Sequence, residues 1–271
     1  MKRKLVLAIM TIMLVAAMVS GASYSWYIDS VSVSPNTFAA AELFVTEGMV
    51  LWLDAGEGVT VDDSGFVWAD KSGNDNHAFQ SNSNHQPIYS FNDSINKPVL
   101  QFDGKNDHLI INSLLAGGTS GRTIFIVAKS KVIANKGILV LNAEYAGDLD
   151  GSFYQITPEI YVRVSGRKEF NESASDQFSI IAIQNDENDT TGDIVGWLNG
   201  VSLTPKTTER NATLNILGDK TSIGTSLYNI GVYAWEGELA EIIVYDYALD
   251  GDERKAVESY LARKYGLSLD E

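Results

Sequence analysis

Three glutamates near the end of the chain, Glu236, Glu238 and Glu241, have types and spacing that could do chemistry. Two carboxyls about 5–5.5 Å apart across a sugar are what a retaining glycoside hydrolase needs, one as nucleophile and one as acid. A bulged strand would be required to bring such a set onto one face. The other oxygen-rich sets are Asp54, Asp70, Asp103, Asn106 and Asp107, and Asp186-Glu187-Asn188-Asp189. Both offer hard ligands of the kind calcium takes, without the regular spacing of a dedicated calcium loop, and a solvated acidic face is the commoner explanation of such clusters. His77, His85 and His108 are the only histidines, and the spacing gives no metal motif.

These groups need a scaffold, and the run Leu239–Tyr245 supplies its centre. It is aliphatic, β-branched or aromatic at nearly every position, which predicts a central strand covered on both faces. An amphipathic helix follows. Asp250 and Glu253 make a capping box, Gly266 closes the helix, and Ala256, Val257, Tyr260, Leu261 and Tyr265 form its apolar stripe. Upstream lie further short apolar runs at 50–53, 99–102, 123–128, 138–141, 160–164, 178–183, 194–198 and 214–217. Their length and β-branched content predict strands, and nothing before residue 250 has helical periodicity. Asn199-Gly200 predicts a tight hairpin, and Asp103-Gly104 a turn. The stretch 72–96 is rich in Asn and Ser, lacks a good strand and is expected to cross the surface as a loop. Trp68 is expected in the core.

Composition limits what this scaffold does. The chain has 271 residues, 45% of them hydrophobic, a formal net charge of −15 and no cysteine. The charge argues against nucleic acid as a partner, since no basic stripe offsets phosphate repulsion. Without cysteine there is no disulfide, thiolate metal site or Cys/His nucleophile. Lys2-Arg3-Lys4, the apolar run 5–19 and Ser20-Gly21-Ala22 have the layout of a secretory signal, shorter than the ~20 apolar residues of a membrane span. The expected domains are therefore a signal peptide at 1–22, an N-terminal extension or donor-strand segment at 23–48, and a folded domain at 49–271. A secreted or cell-surface location follows, with the membrane met only through the export signal. Sequons at Asn92, Asn171, Asn188 and Asn211 mark exposed loops at most.

Two resemblances add to this reading. Tyr24–Asp29 and Asn36-Thr37-Phe38 resemble the start of secreted proteins of the camelysin and TasA type, which implies a strand donated to a neighbouring subunit. More extensively, Leu51-Trp52-Leu53-Asp54, Trp68-Ala69-Asp70, Phe102-Asp103-Gly104, Thr123–Val127, Trp197–Gly200, Ser222-Ile223-Gly224 and Gly237–Leu249 resemble, in that order, the LamG-like branch of the concanavalin A-like lectin/glucanase superfamily. That resemblance covers about residues 49–267. It implies an all-β fold, a jelly-roll sandwich of two antiparallel sheets with a short C-terminal helix, first and last strands adjacent, and calcium at one rim. Glucanases of the superfamily carry two glutamates flanking an aspartate on one strand. Here Glu stands at the aspartate position and Gly237 interrupts the run, while Glu241 matches a structural glutamate of the LamG-like branch.

The expected function is thus a non-catalytic module binding an extracellular glycan or surface protein. Tyr145, Tyr154, Tyr161, Asn199 and Trp235 are its candidate ligand contacts, through aromatic stacking and hydrogen bonds to hydroxyls. The rivals are a self-associating subunit of an extracellular fibre or surface layer, joined through residues 23–45, and a glycoside hydrolase.

Overall fold

In the computed structural model of the chain, the described residues are 45–113, 115–141, 154–163 and 166–270. The chain divides into two units, Met1–Ala39 and Ala40–Glu271, and every described residue belongs to the second. The signal-like leader and nearly all of the camelysin-like segment lie outside the described residues.

The strands, in chain order, are β1 (Met49–Asp54), β2 (Val59–Asp62), β3 (Gly65–Trp68), β4 (Ala78–Gln80), β5 (Ile88–Asn92) and β6 (Lys97–Asp103). Next come β7 (Leu109–Ile111), β8 (Arg122–Ser130), β9 (Leu139–Leu141), β10 (Tyr154–Ile156), β11 (Tyr161–Arg163) and β12 (Arg167–Phe170). The last six are β13 (Ser179–Asn185), β14 (Val195–Leu198), β15 (Val201–Ser202), β16 (Pro205–Glu209), β17 (Thr221–Ile223) and β18 (Glu236–Tyr245). A short helix α1 (Ile230–Tyr233) precedes β18, and α2 (Gly251–Tyr265) follows it. Among the described residues, no helix is long and apolar enough to cross a membrane.

Two antiparallel sheets face each other. One runs β15-β14-β13-β8-β18-β6-β5 with β1 also paired to β18, and the other runs β16-β12-β11-β10-β9-β17-β7-β4-β3-β2. β18 is the hub of the first sheet. One edge pairs with β8 along its length, while the other pairs with β6 over Glu236–Leu239 and with β1 over Glu241–Tyr245. Among the described residues the first and last strands are therefore adjacent, as the LamG-like resemblance implied. The register against β8 shifts between Leu239 and Glu241, and this bulge resets the alternation of faces. Leu239, Ile242 and Val244 join the core between the sheets, with Leu51, Leu53, Trp68, Phe102, Ile124 and Ile126. Ala240, Ile243 and Tyr245 join a second layer beneath α2, with Val257, Tyr260, Leu261 and Tyr265. Burial on both faces is why the run reads as continuously apolar.

The helix ends where its caps dictate. Asp250 Oδ1 accepts from the N–H groups of Asp252 and Glu253, Glu253 Oε2 accepts from Asp250 N, and Gly266 takes φ 65°. Its buried face differs slightly from the predicted stripe. Ala256 is exposed, whereas Arg254 and Glu258 are buried as a pair, with the guanidinium 4.2 Å from the centre of the Trp197 ring. The long aliphatic stem of Arg lets a charged residue cover apolar surface in this way.

Two other expectations are corrected. The 72–96 stretch is not a plain loop: it holds β4 and β5, the latter an edge strand with Ile88 and Phe91 exposed. The 214–217 run is not a strand. Leu214 and Ile216 are buried, but the backbone there makes only the isolated bridges Thr190–Thr213 and Gly118–Ile216.

A candidate binding cleft on the outer sheet face

Where α2 leaves the sheet uncovered, the outward side chains of β18 change from apolar to Glu236 and Glu238. Glu236 lies opposite Asp103 of β6, and Glu238 lies between Gln101 of β6 and Lys129 of β8. Gln101 in turn lies opposite Ile88 of β5. Directly opposed residues share a face, so Ile88, Gln101, Glu238 and Lys129 form a row across four strands. Together with Asp103, Asp107, Ser130, Lys131, Asp176 and Glu236 they line a cleft of about 470 Å³.

Gly237 makes this floor. Its outer neighbours point into the cleft, while any Cβ at Gly237 itself would overlap the Trp235 ring beneath the strand. Trp235 is fully buried, donates from Nε1 to Ser130 Oγ at 2.6 Å and packs on Phe102 at 5.4 Å between ring centres.

The charges in the cleft fall into two groups. Glu238 is held by Lys129 at 2.8 Å and by the Asn92 amide at 2.6 Å, and Glu236 is held by Lys131. Asp103 and Asp107 instead form a carboxyl pair. Burial would raise Asp103, but the backbone N–H groups of Lys105, Asn106 and Asp107 outweigh it and hold its carboxyl below the usual range. Asp107 is pushed up to about 6, first by burial and then by the nearby Asp103 charge, against the pull of Asp103 N–H and of His85. One carboxyl is thus ionised while its neighbour titrates near neutrality.

The predicted ligand contacts are elsewhere. Tyr154, Tyr161 and Trp235 are 0%, 3% and 0% exposed, so none presents a ring face to a sugar. The Tyr154 ring lies against Arg122 and the Tyr161 ring against Arg167, at 5.0 and 5.2 Å. Aromatic size drew these rings into the core, where they bury the most area. Asn199 is committed to its hairpin: it takes φ 49°, its Oδ1 accepts from Ile180 N at 2.8 Å and its carbonyl accepts from Asp270 N. Tyr145 lies outside the described residues. Sequence reasoning missed Ile88, Gln101, Lys129, Lys131 and Asp176. The signal that could have found them is the polar-outward alternation Gln101/Asp103 and Glu236/Glu238, but it needs the strand register to be read as one surface.

The proposed calcium ligands also separate. Asp54 accepts from Gly56 N and pairs with Lys71 and Lys264, and Asp70 accepts from Trp52 N, Ser72 N, Ser72 Oγ and Asn76 N. Carboxyls so fully engaged by protein donors do not fit a calcium site, which needs free oxygens. Asp103, Asn106 and Asp107 share one turn at the cleft wall, with Asp107 Oδ2 accepting from Asp103 N at 2.9 Å. Among the described residues, no three His, Asp or Glu side chains are grouped to hold a metal. The His85 and His108 rings lie 5.3 Å apart between centres, tilted by 42°, whereas His77 Nδ1 accepts from Asp70 N. Burial holds His108 below its usual range.

Nor do the three glutamates converge. At ~3.3 Å per residue, Glu241 lies about 10 Å along the strand from Glu238, buried beneath α2. It accepts from Trp52 Nε1 and Tyr265 OH and pairs with Lys264.

No protein-family model and no curated protein matches this chain. Solved structures do. Domain 4 of AbnA, a GH43 extracellular arabinanase from Geobacillus stearothermophilus solved in complex with arabinotriose, aligns over 80% of this chain and 98% of its own, with TM-score 0.52 and 13% identity. A Trypanosoma rangeli sialidase in complex with 2,3-difluorosialic acid aligns over 86% of this chain at TM-score 0.50 and 14% identity, and this chain spans about a third, 35%, of it. The binding domain of Paraclostridial Mosquitocidal Protein 1 aligns over 83% of this chain and 56% of its own at TM-score 0.49 and 11% identity. At these identities the likeness to the first two bears on the fold alone, and that fold is an antiparallel β-sandwich.

Proposed function

We propose that this chain is an exported, non-catalytic binding module of the LamG-like, concanavalin A-like type, holding an extracellular carbohydrate in the cleft of β5, β6, β18 and β8. The observation that carries this reading is the row Ile88–Gln101–Glu238–Lys129, which puts an apolar side chain, an amide and two charged groups along one open floor. An apolar contact beside convergent hydrogen-bonding groups is the chemistry by which a concave site orients a small ligand. The leader Lys2–Ala22 supports export. The arabinotriose in the AbnA domain makes arabino-oligosaccharides a reasonable first ligand to test.

The test is a glycan array, run with and without calcium, on wild type and on a Lys129→Met/Glu238→Gln variant. Retention of a saccharide by wild type and its loss in the variant support the cleft. The calcium arm asks whether Asp103, Asn106 and Asp107 recruit the ion when sugar is present. Incubating the retained saccharide with the protein and analysing the products separates binding from hydrolysis. Release of shorter sugars, abolished by Glu236→Gln, would make the module an enzyme.

A second reading is a surface subunit that polymerises by strand addition. It is favoured by the β5 edge, where Ile88 and Phe91 are 63% and 57% exposed, a template for another strand. Sedimentation at high concentration, with and without residues 23–45, tests it.

A further inference from the structure

The last turn of α2 meets β1 and the β18 bulge through three charged side chains outside the cleft. Lys264 Nζ lies 2.7 Å from Asp54 Oδ2 and 2.6 Å from Glu241 Oε2. The side chains of Asp54 and Glu241 are 2% and 1% exposed, and that of Lys264 is 16% exposed. Asp54 and Glu241 are direct partners in the β1–β18 register. Trp52 Nε1 and the Tyr265 hydroxyl donate to the two oxygens of Glu241, at 2.6 and 2.7 Å. An amine, a carboxyl and a third group able to move protons are therefore fixed in contact where little water reaches. Those are the conditions under which a lysine and an aspartate condense: the encounter is already made, and hydrolysis is suppressed.

We propose that Lys264 and Asp54 become joined by an intramolecular amide bond, with Glu241 relaying the protons, so that the first strand is covalently tied to the C-terminal helix. The Lys264 ammonium gives one proton to Asp54 Oδ2 across their hydrogen bond, turning a buried ion pair into a neutral amine and acid. The amine nitrogen then attacks Asp54 Cγ. Gly56 N–H, 2.8 Å from Oδ1, holds the charge that develops on that oxygen. Glu241 takes the second amine proton and returns one to Oδ2, which leaves as water. One C–N bond forms, one C–O bond breaks, and nothing is oxidised or reduced.

Burial would raise the Asp54 carboxyl, but Lys264 and Lys71 outweigh it and hold it below its usual range, so the first proton transfer runs uphill and the drive comes from the product. Two ions kept out of water carry a desolvation cost that an amide does not. Burial holds the Glu241 carboxyl above its usual range, against the pull of Lys264. Lys71, the other cation on Asp54, keeps a carboxylate partner in Glu57 at 2.7 Å.

Peptide mapping by mass spectrometry of the purified, denatured full chain tests this directly. The expected result is one branched peptide carrying both Asp54 and Lys264, lighter than the two linear peptides by one water, with trypsin blocked at Lys264. Glu241→Gln, still folded by near-ultraviolet circular dichroism, is expected to give the two linear peptides instead. Only linear peptides from wild type, or a join at Lys71, would overturn the proposal. Both results are read on wild type and do not depend on any variant folding.

Discussion

Lys129 and Glu238 face each other across β8 and β18, 2.8 Å apart, on the floor of an open cleft. Both are partly exposed, so the pair contributes at most about 1 kcal/mol to stability. The Lys129→Met/Glu238→Gln variant should therefore unfold in urea within about 1 kcal/mol of wild type. Its affinity for a cleft saccharide should fall tenfold or more, about 1.4 kcal/mol, as measured by titration calorimetry. A large stability loss would mean that the pair is structural.

Gly237 tests the floor itself. Gly237→Ala drives a methyl into the Trp235 ring and the Lys129 carbonyl, and overpacking of this kind costs about 3 kcal/mol. Urea denaturation should show that loss, and a change below about 0.5 kcal/mol would place Trp235 elsewhere.

Asp107 should give the fold a pH signature. Its carboxyl titrates near 6 when folded and near ~3.9 when unfolded. The folded state then holds the proton more tightly. Its contribution is full below about pH 3.9 and is lost as pH rises through about 6. Relative to Asp107→Asn, wild type should lose stability across that window. Carbon-detected NMR of the Asp107 carboxyl should find a midpoint near 6, whereas a midpoint near 4 would contradict the burial assigned to it.

The capping box makes a simpler prediction. Asp250→Ala removes the acceptor for two N–H groups and should cost about 1 kcal/mol. Thermal melting reads this, and no shift would mean that the α2 terminus is held by packing alone.

Strong local signals carried much of the architecture. β18, α2 and the Asn199-Gly200 hairpin, with φ 49° and 85°, each rest on apolar runs, caps or turn chemistry that act over a few residues. The strands that escaped notice lack such signals. β16 is Pro205–Glu209, exposed throughout, and exists because β12 pairs with it. The cleft was harder still. Glu236 and Glu238 stood out as carboxylates, but Gln101, Lys129 and Ile88 become one surface only through cross-strand register, which no short stretch encodes. Tyr154 and Trp235 misled because a large ring suits a sugar platform and a core equally well, and only burial separates the two.

The measurement that bears most directly on the cleft is NMR titration of the isotope-labelled protein with the saccharide that it retains on the array. Shift changes should cluster at Gln101, Lys129, Glu236 and Glu238 and vanish in the Lys129→Met/Glu238→Gln variant. Changes confined to the opposite sheet, or unaltered by that variant, would contradict the assignment of the site.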